Sequence, residues 1–135
     1  MYKHLLIPIS FDESRDVAQA IAAAKILADD GAKFSFIHVI DPIPGYVTEY
    51  IPPEMLIQRT DKAKQLLHDA AKDVDNAQTV LLEGATGRML TDWAADNEVD
   101  CIVIASHHPA MSDIILGSTA AWVVRHAGCA VHVIR

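Results

Sequence analysis

Cys101-Ile102-Val103-Ile104-Ala105 is apolar at every position. A strand with one wet face alternates apolar and polar side chains, so an unbroken apolar run requires cover on both faces, the habit of parallel sheets. His4 to Ile9, with Leu5-Leu6-Ile7 at its centre, has the same character. Phe34 to Ile40, Thr79 to Glu83 and Ala130 to Ile134 add three more runs rich in β-branched or aromatic residues. Between these runs apolar residues recur at helical spacing: Val17, Ile21, Ala24 and Ala28; Met55 through Val74; Leu90, Trp93, Ala94 and Asn97; Ala120, Val123, Val124 and Ala127. Asp12 or Ser14 is placed to cap the first helix, and Gly31 to end it in a left-handed conformation. Residues 41–53 hold four prolines, Gly45 and two tyrosines, which predicts an irregular, mobile loop at the rim of any ligand gap.

Five strands alternating with four helices predict a single-domain α/β fold over residues 1–135, a three-layer sandwich whose parallel sheet is covered by right-handed crossovers. Ligands of such sheets settle beyond the carboxyl ends of the strands where the winding reverses, which singles out Pro8 to Ser14, Val39 to Asp41 and Ser106 to Ser118. Eleven Lys and Arg against eighteen Asp and Glu give a net charge of −7, which argues against a nucleic-acid partner. No run approaches the roughly 20 apolar residues of a membrane span, and the apolar run at Leu5 is too short for a signal peptide, so a soluble cytoplasmic protein is expected. Cys101 and Cys129 lack Cys-x-x-Cys spacing and read as reduced thiols.

Gly117-Ser118-Thr119 opens the last helix. Free amides and hydroxyls at a helix start suit a phosphate, although Ser118 has a plainer reading as a helix cap. His107 and His108 have no third ligand at metal-site spacing and read as solvated or phosphate-facing, so no metal site is expected. None of Ser10, Ser14, Ser106 and Ser118 lies in a Gly-x-Ser-x-Gly elbow, and there is neither a P-loop nor an early Gly-x-Gly-x-x-Gly. No catalytic residue is nominated. Trp93 and Trp122 sit at core-like helical spacing, which favours packing over ligand stacking.

Several segments, taken in order, resemble the universal stress protein family, and closest the short bacterial F and G subgroup. They are Leu5-Leu6-Ile7-Pro8-Ile9, His38-Val39-Ile40-Asp41, Gly84 with Gly87, Ile104-Ala105-Ser106-His107-His108-Pro109, Leu116-Gly117-Ser118, and Val123-Val124-Arg125-His126. The resemblance covers the whole chain. It implies an adenine nucleotide alpha hydrolase-like sheet in the order 3-2-1-4-5 and a homodimer. It also implies ATP, with or without Mg2+, in the gap between strands one and four. Pro8, Ile9 and Ser10 would border the nucleoside and the main chain at Val39 would meet adenine. Ala105, Ser106, His108, Gly117, Ser118 and Thr119 would line ribose and phosphates. The apolar edge at Ala130 to Ile134 marks the C-terminal strand as the dimer contact.

The chain departs from the pattern Gly-x2-Gly-x9-Gly-[Ser/Thr] of ATP-binding members. Ala105 and His108 replace the first two glycines, and eight residues rather than nine separate His108 from Gly117. Ser10 stands where those members carry an aspartate. Two expectations follow: an adenine-nucleotide-binding regulatory module of the stress response, or a nucleotide-free stress protein acting through dimer and protein contacts. For slow ATP hydrolysis or self-modification, no general base can be named.

Overall fold

The five apolar runs form one parallel sheet. Its strands are β1 (Tyr2–Pro8), β2 (Ala28–Ile40), β3 (Ala77–Glu83), β4 (Cys101–Ala105) and β5 (Ala130–Ile134), in the spatial order β3-β2-β1-β4-β5. The helices are α1 (Ser14–Leu27), α2 (Gly45–Thr48), α3 (Pro53–Ala71), α4 (Thr86–Asp96) and α5 (Ser118–His126). This computed structural model describes residues 1–11, 14–106 and 116–135. His107, His108 and the proposed cap Asp12 lie outside the described residues.

Successive side chains of a strand point to opposite faces, and both faces here are dry. Leu5, Ile7 and Ile9, Phe34 and Phe36, and Cys101 and Val103 enter one core with α1 and α3. Leu6, Ile37 and Val39, and Ile102 and Ile104 enter the other with Leu90 and Ala94 of α4 and Ala120 and Val123 of α5. That two-sided burial is why the strands contain so few polar residues. Each fully buried Leu or Ile contributes about 1.5–3 kcal/mol. The helices change faces as the chain passes from the β3-β2-β1 half to the β4-β5 half, as right-handed crossovers require.

Three details differ from the sequence expectation. Helix α1 ends at Leu27, and Ala28 already pairs with Tyr2. Gly31, at φ +77°, sits inside the extended segment rather than ending the helix. There it serves the bulge that moves the register from Tyr2↔Ala28 to His4↔Lys33. The proline-rich connection contains the helical turn α2, which makes five helices rather than four among the described residues. Its backbone partners are local: the Val47 and Thr48 amides both reach the Pro44 carbonyl. Val124, counted on the inner stripe of α5, is exposed.

Candidate functional site

β1 stops at Pro8 while β2 continues to Ile40, which leaves a notch at the carboxyl end of the sheet. In a parallel ladder a residue turns its amide and carbonyl toward one neighbouring strand, and the next residue toward the other. The Ile9 amide donates to Ile37 O at 2.8 Å and the Gly84 amide to Ile40 O at 3.1 Å, so Ile37 faces β1 and Ile40 faces β3. Val39, two residues past Ile37, therefore presents its main chain to the notch where β1 has ended. On the other side the Ser106 amide donates to Ile134 O at 2.8 Å, so the preceding Ala105 turns its main chain toward β1.

A cleft of about 300 Å³ occupies the notch, and Pro8, Ile9, Ser10, Val39, Ala105 and Thr119 line it together. Phe11, His38, Asp41, Thr86 and Ile104 complete the wall. His38 Nδ1 lies 2.7 Å from the Ile9 carbonyl; because a carbonyl only accepts, that nitrogen carries the proton. Phe11 meets the His38 ring edge-on at 5.2 Å. The site is therefore an apolar slot with main-chain edges, hydroxyls and one carboxylate at its rim.

Gly117, at φ −57° and ψ 154°, is the N-cap of α5, and no side chain bonds into the helix start. Ser118 is the first helical residue and exposed, so its reading as the cap is corrected. The Ala121 amide makes the first helical bond, to Gly117 O at 2.8 Å, which leaves the amides of Ser118, Thr119 and Ala120 without intrahelical acceptors. Any residue can adopt the Gly117 backbone, and a Cβ there would come no closer than 3.8 Å to Ser106 O. Among the described residues, packing does not demand glycine at this position.

A second chamber of about 510 Å³ opens between the starts of α4 and α5, lined by Ala85, Thr86, Gly87, Arg88, Ser118, Thr119 and Trp122. Thr86 and Thr119 also line the first cleft, so the two cavities are neighbours with those two residues as a common wall. Trp122 packs as its spacing suggests, but against α4 rather than in either sheet core, and it forms a wall of this chamber, whereas Trp93 packs against the core of α4 and α5. Its ring stacks on His126 at 3.8 Å and lies so close to Gly87 that a Cβ there would come within 2.6 Å.

Of the residues expected at the site, Gly117 and Ser106 line neither cavity, Ser106 being buried and bonded to β5. His108 lies outside the described residues. Phe11 falls in the segment from Pro8 to Ser14 already singled out, whereas Thr86, Arg88 and Trp122 were not foreseen, because each belongs to a helix whose neighbours in space are distant in sequence. His38 and Asp41 flank Val39, and the rule that ligands sit beyond strand ends already pointed there. Cys101 and Cys129 are free thiols; burial pushes Cys101 up to about 11 and raises Cys129 as well, which leaves both poor nucleophiles. Among the described residues, no three His, Cys, Asp or Glu side chains converge as a metal site would require. No helix among them is long and apolar enough to cross a membrane.

The pattern that defines the Universal stress protein family matches residues 1–135. The chain belongs to the universal stress protein family. The universal stress protein in the QAH/OAS sulfhydrylase 3′ region of Thermus aquaticus is 29% identical over 139 residues, spanning 100% of each chain. A universal stress protein of Archaeoglobus fulgidus, solved in complex with dAMP, superposes with a TM-score of 0.68 at 17% identity. The match covers 99% of this chain and 98% of that one. Another universal stress protein, solved in complex with cAMP, gives 0.64 at 20% identity and covers 99% and 97%. Both share this family's fold.

Proposed function

We propose that this universal stress protein is a regulatory module that binds an adenine nucleotide in the notch above β1, with ATP, with or without Mg2+, as the ligand. One observation carries the reading: six residues expected at a nucleoside site, Pro8, Ile9, Ser10, Val39, Ala105 and Thr119, line one cleft where the strand order reverses. The exposed main-chain edge of Val39 matches the alternating donors and acceptors of an adenine ring. Asp41 brings to the same wall the carboxylate that Ser10 lacks, a group suited to accept from ribose hydroxyls. The amides at the start of α5, with Ser118 and Thr119, serve the phosphates. Complexes of two fold relatives with dAMP and cAMP support an adenine nucleotide as the ligand. The function in this reading is binding, with occupancy changing the surface offered to a partner.

The same reading includes a homodimer through β5. Ile134 O accepts from Ser106, so Ala130, His132 and Ile134 face β4 and the main chain of Val131 and Val133 faces outward from the sheet edge.

Native mass spectrometry of the purified chain, followed by calorimetric titration with ATP, ADP, AMP and GTP, tests the binding. Adenine nucleotides are expected to bind and GTP not. If no adenine nucleotide binds, the departures at Ser10 and Ala105 make the nucleotide-free interaction protein the better account.

A further inference from the structure

Among the side chains the structure describes, the nucleoside cleft carries Asp41 and neither a guanidinium nor an ammonium. Its neighbour between α4 and α5 holds Arg88, the one such cation lining either cavity among the side chains the structure describes, which exclude those of residues 12–16 and 107–115. Arg88 is exposed in the first turn of α4, and no carboxylate pairs with it among the described residues. Its guanidinium lies 6.0 Å from the centroid of the Trp122 ring. Trp122 is in turn braced by His126, and the missing side chain of Gly87 lets the ring sit down against α4. This stack holds one cation beside the Ser118 and Thr119 hydroxyls, in a chain whose net charge is −7.

Resting on the adenine-nucleotide reading, we propose that this chamber receives the phosphate chain beyond the first phosphate. Arg88 is then the residue that selects adenosine di- and triphosphates over monophosphates. Thr86 and Thr119 line both cavities, and a phosphate reaching from the cleft toward the chamber would pass them and the α5 amides. A monophosphate ends there and needs only those neutral donors. Each further phosphate adds charge that Asp41 repels and neutral donors answer weakly, whereas a planar guanidinium meets two phosphate oxygens at once. A purely structural Arg88, stacked on Trp122 and nothing more, would not distinguish the length of the phosphate chain.

Calorimetric titration of ATP, ADP and AMP at low salt, on the unaltered chain and on Arg88→Gln and Arg88→Lys, separates these roles. The unaltered chain should bind ATP and ADP more tightly than AMP. Arg88→Gln should weaken ATP about 10-fold and leave AMP within about twofold, the loss expected for one charge-assisted contact. Arg88→Lys should recover part of the ATP affinity, and added salt should shrink the ATP advantage in the unaltered chain. Equal loss for all three ligands, or no loss, overturns the selector role, as does an unaltered chain that binds AMP as tightly as ATP; in each case nucleotide binding itself stands. No binding of any adenine nucleotide overturns both readings.

Discussion

Ser35→Ala would remove the hydroxyl at the centre of a buried chain of hydrogen bonds that crosses three strands. His4 of β1 is 8% exposed and Ser35 of β2 fully enclosed. His4 Nδ1 lies 3.0 Å from the Asn97 carbonyl, which fixes the proton on Nδ1 and makes Nε2 an acceptor. Ser35 Oγ, 2.6 Å from Nε2, donates to it and accepts from Gln78 Nε2 of β3 at 2.8 Å. The Trp93 ring meets the imidazole edge-on at 5.9 Å. With Ser35 gone, Gln78 can turn to water because it is exposed, but His4 Nε2 is left buried without a donor. An orphaned buried acceptor costs about 1–3 kcal/mol, and Gln78 adds little, so a loss of about 2 kcal/mol is expected. Urea denaturation at pH 8, compared with wild type at unchanged slope, measures it.

The same network sets a pH dependence. Burial lowers the His4 pKa from the ordinary histidine value of 6.5; the Asn97 carbonyl opposes this, Lys33 adds to the lowering and Asp100 works against it. The unfolded chain thus binds a proton at His4 before the folded chain does. Stability then rises with pH through the window between the folded value and 6.5, is fully present above it, and is lost as pH falls. The wild-type minus His4→Gln difference in unfolding free energy, followed from pH 8 to pH 5, should fall toward acid. A Ser35→Ala loss below about 0.5 kcal/mol, together with a difference curve that is flat or rises toward acid, would refute the assigned proton positions.

Gly87→Ala puts a Cβ 2.6 Å from the Trp122 ring, so it should cost about 1–3 kcal/mol in urea denaturation and shift the tryptophan emission as the ring is displaced. Glu98 ends α4 at φ +57°, with the Val99 amide reaching Ala94 O at 3.0 Å; Glu98→Gly relieves that conformation and should raise stability by about 0.5–1 kcal/mol by the same assay. Sedimentation at micromolar concentration should show a dimer. Val133→Pro, which deletes an outward amide while leaving the bonds to β4, should give a folded monomer; a variant that dimerises like wild type counts against pairing through β5.

The strands were legible because both of their faces are buried: Leu5, Leu6 and Ile7 enter opposite cores, so apolarity without alternation is the direct imprint of a parallel sheet. The place of the cleft was legible for a related reason, since a reversal of winding opens a gap beyond the strand ends whatever side chains are present. Gly31 misled because a left-handed glycine after a helical stripe serves equally as a helix end or as the hinge of a bulge. Only the pairing of Ala28 with Tyr2 decides between them.

What stayed hidden was whatever depends on one helix lying beside another. Gly87 punctuates a strand-to-helix junction in sequence, and nothing local says that its missing Cβ is space for Trp122, thirty-five positions away on α5. Trp122 lies beside Val123 in sequence but about a quarter-turn away from it around the helix, and falls at the margin of the buried stripe, where α5 meets α4 rather than the sheet. Arg88 looked like an ordinary exposed cation on a helix for the same reason. Its chemistry comes from the aromatic ring and the two hydroxyls that the crossover after β4 delivers to it, and a crossover leaves no periodic trace. In this fold, therefore, the part of the site made from strand ends is written locally, while the part made from facing helix starts is set by the sheet order alone.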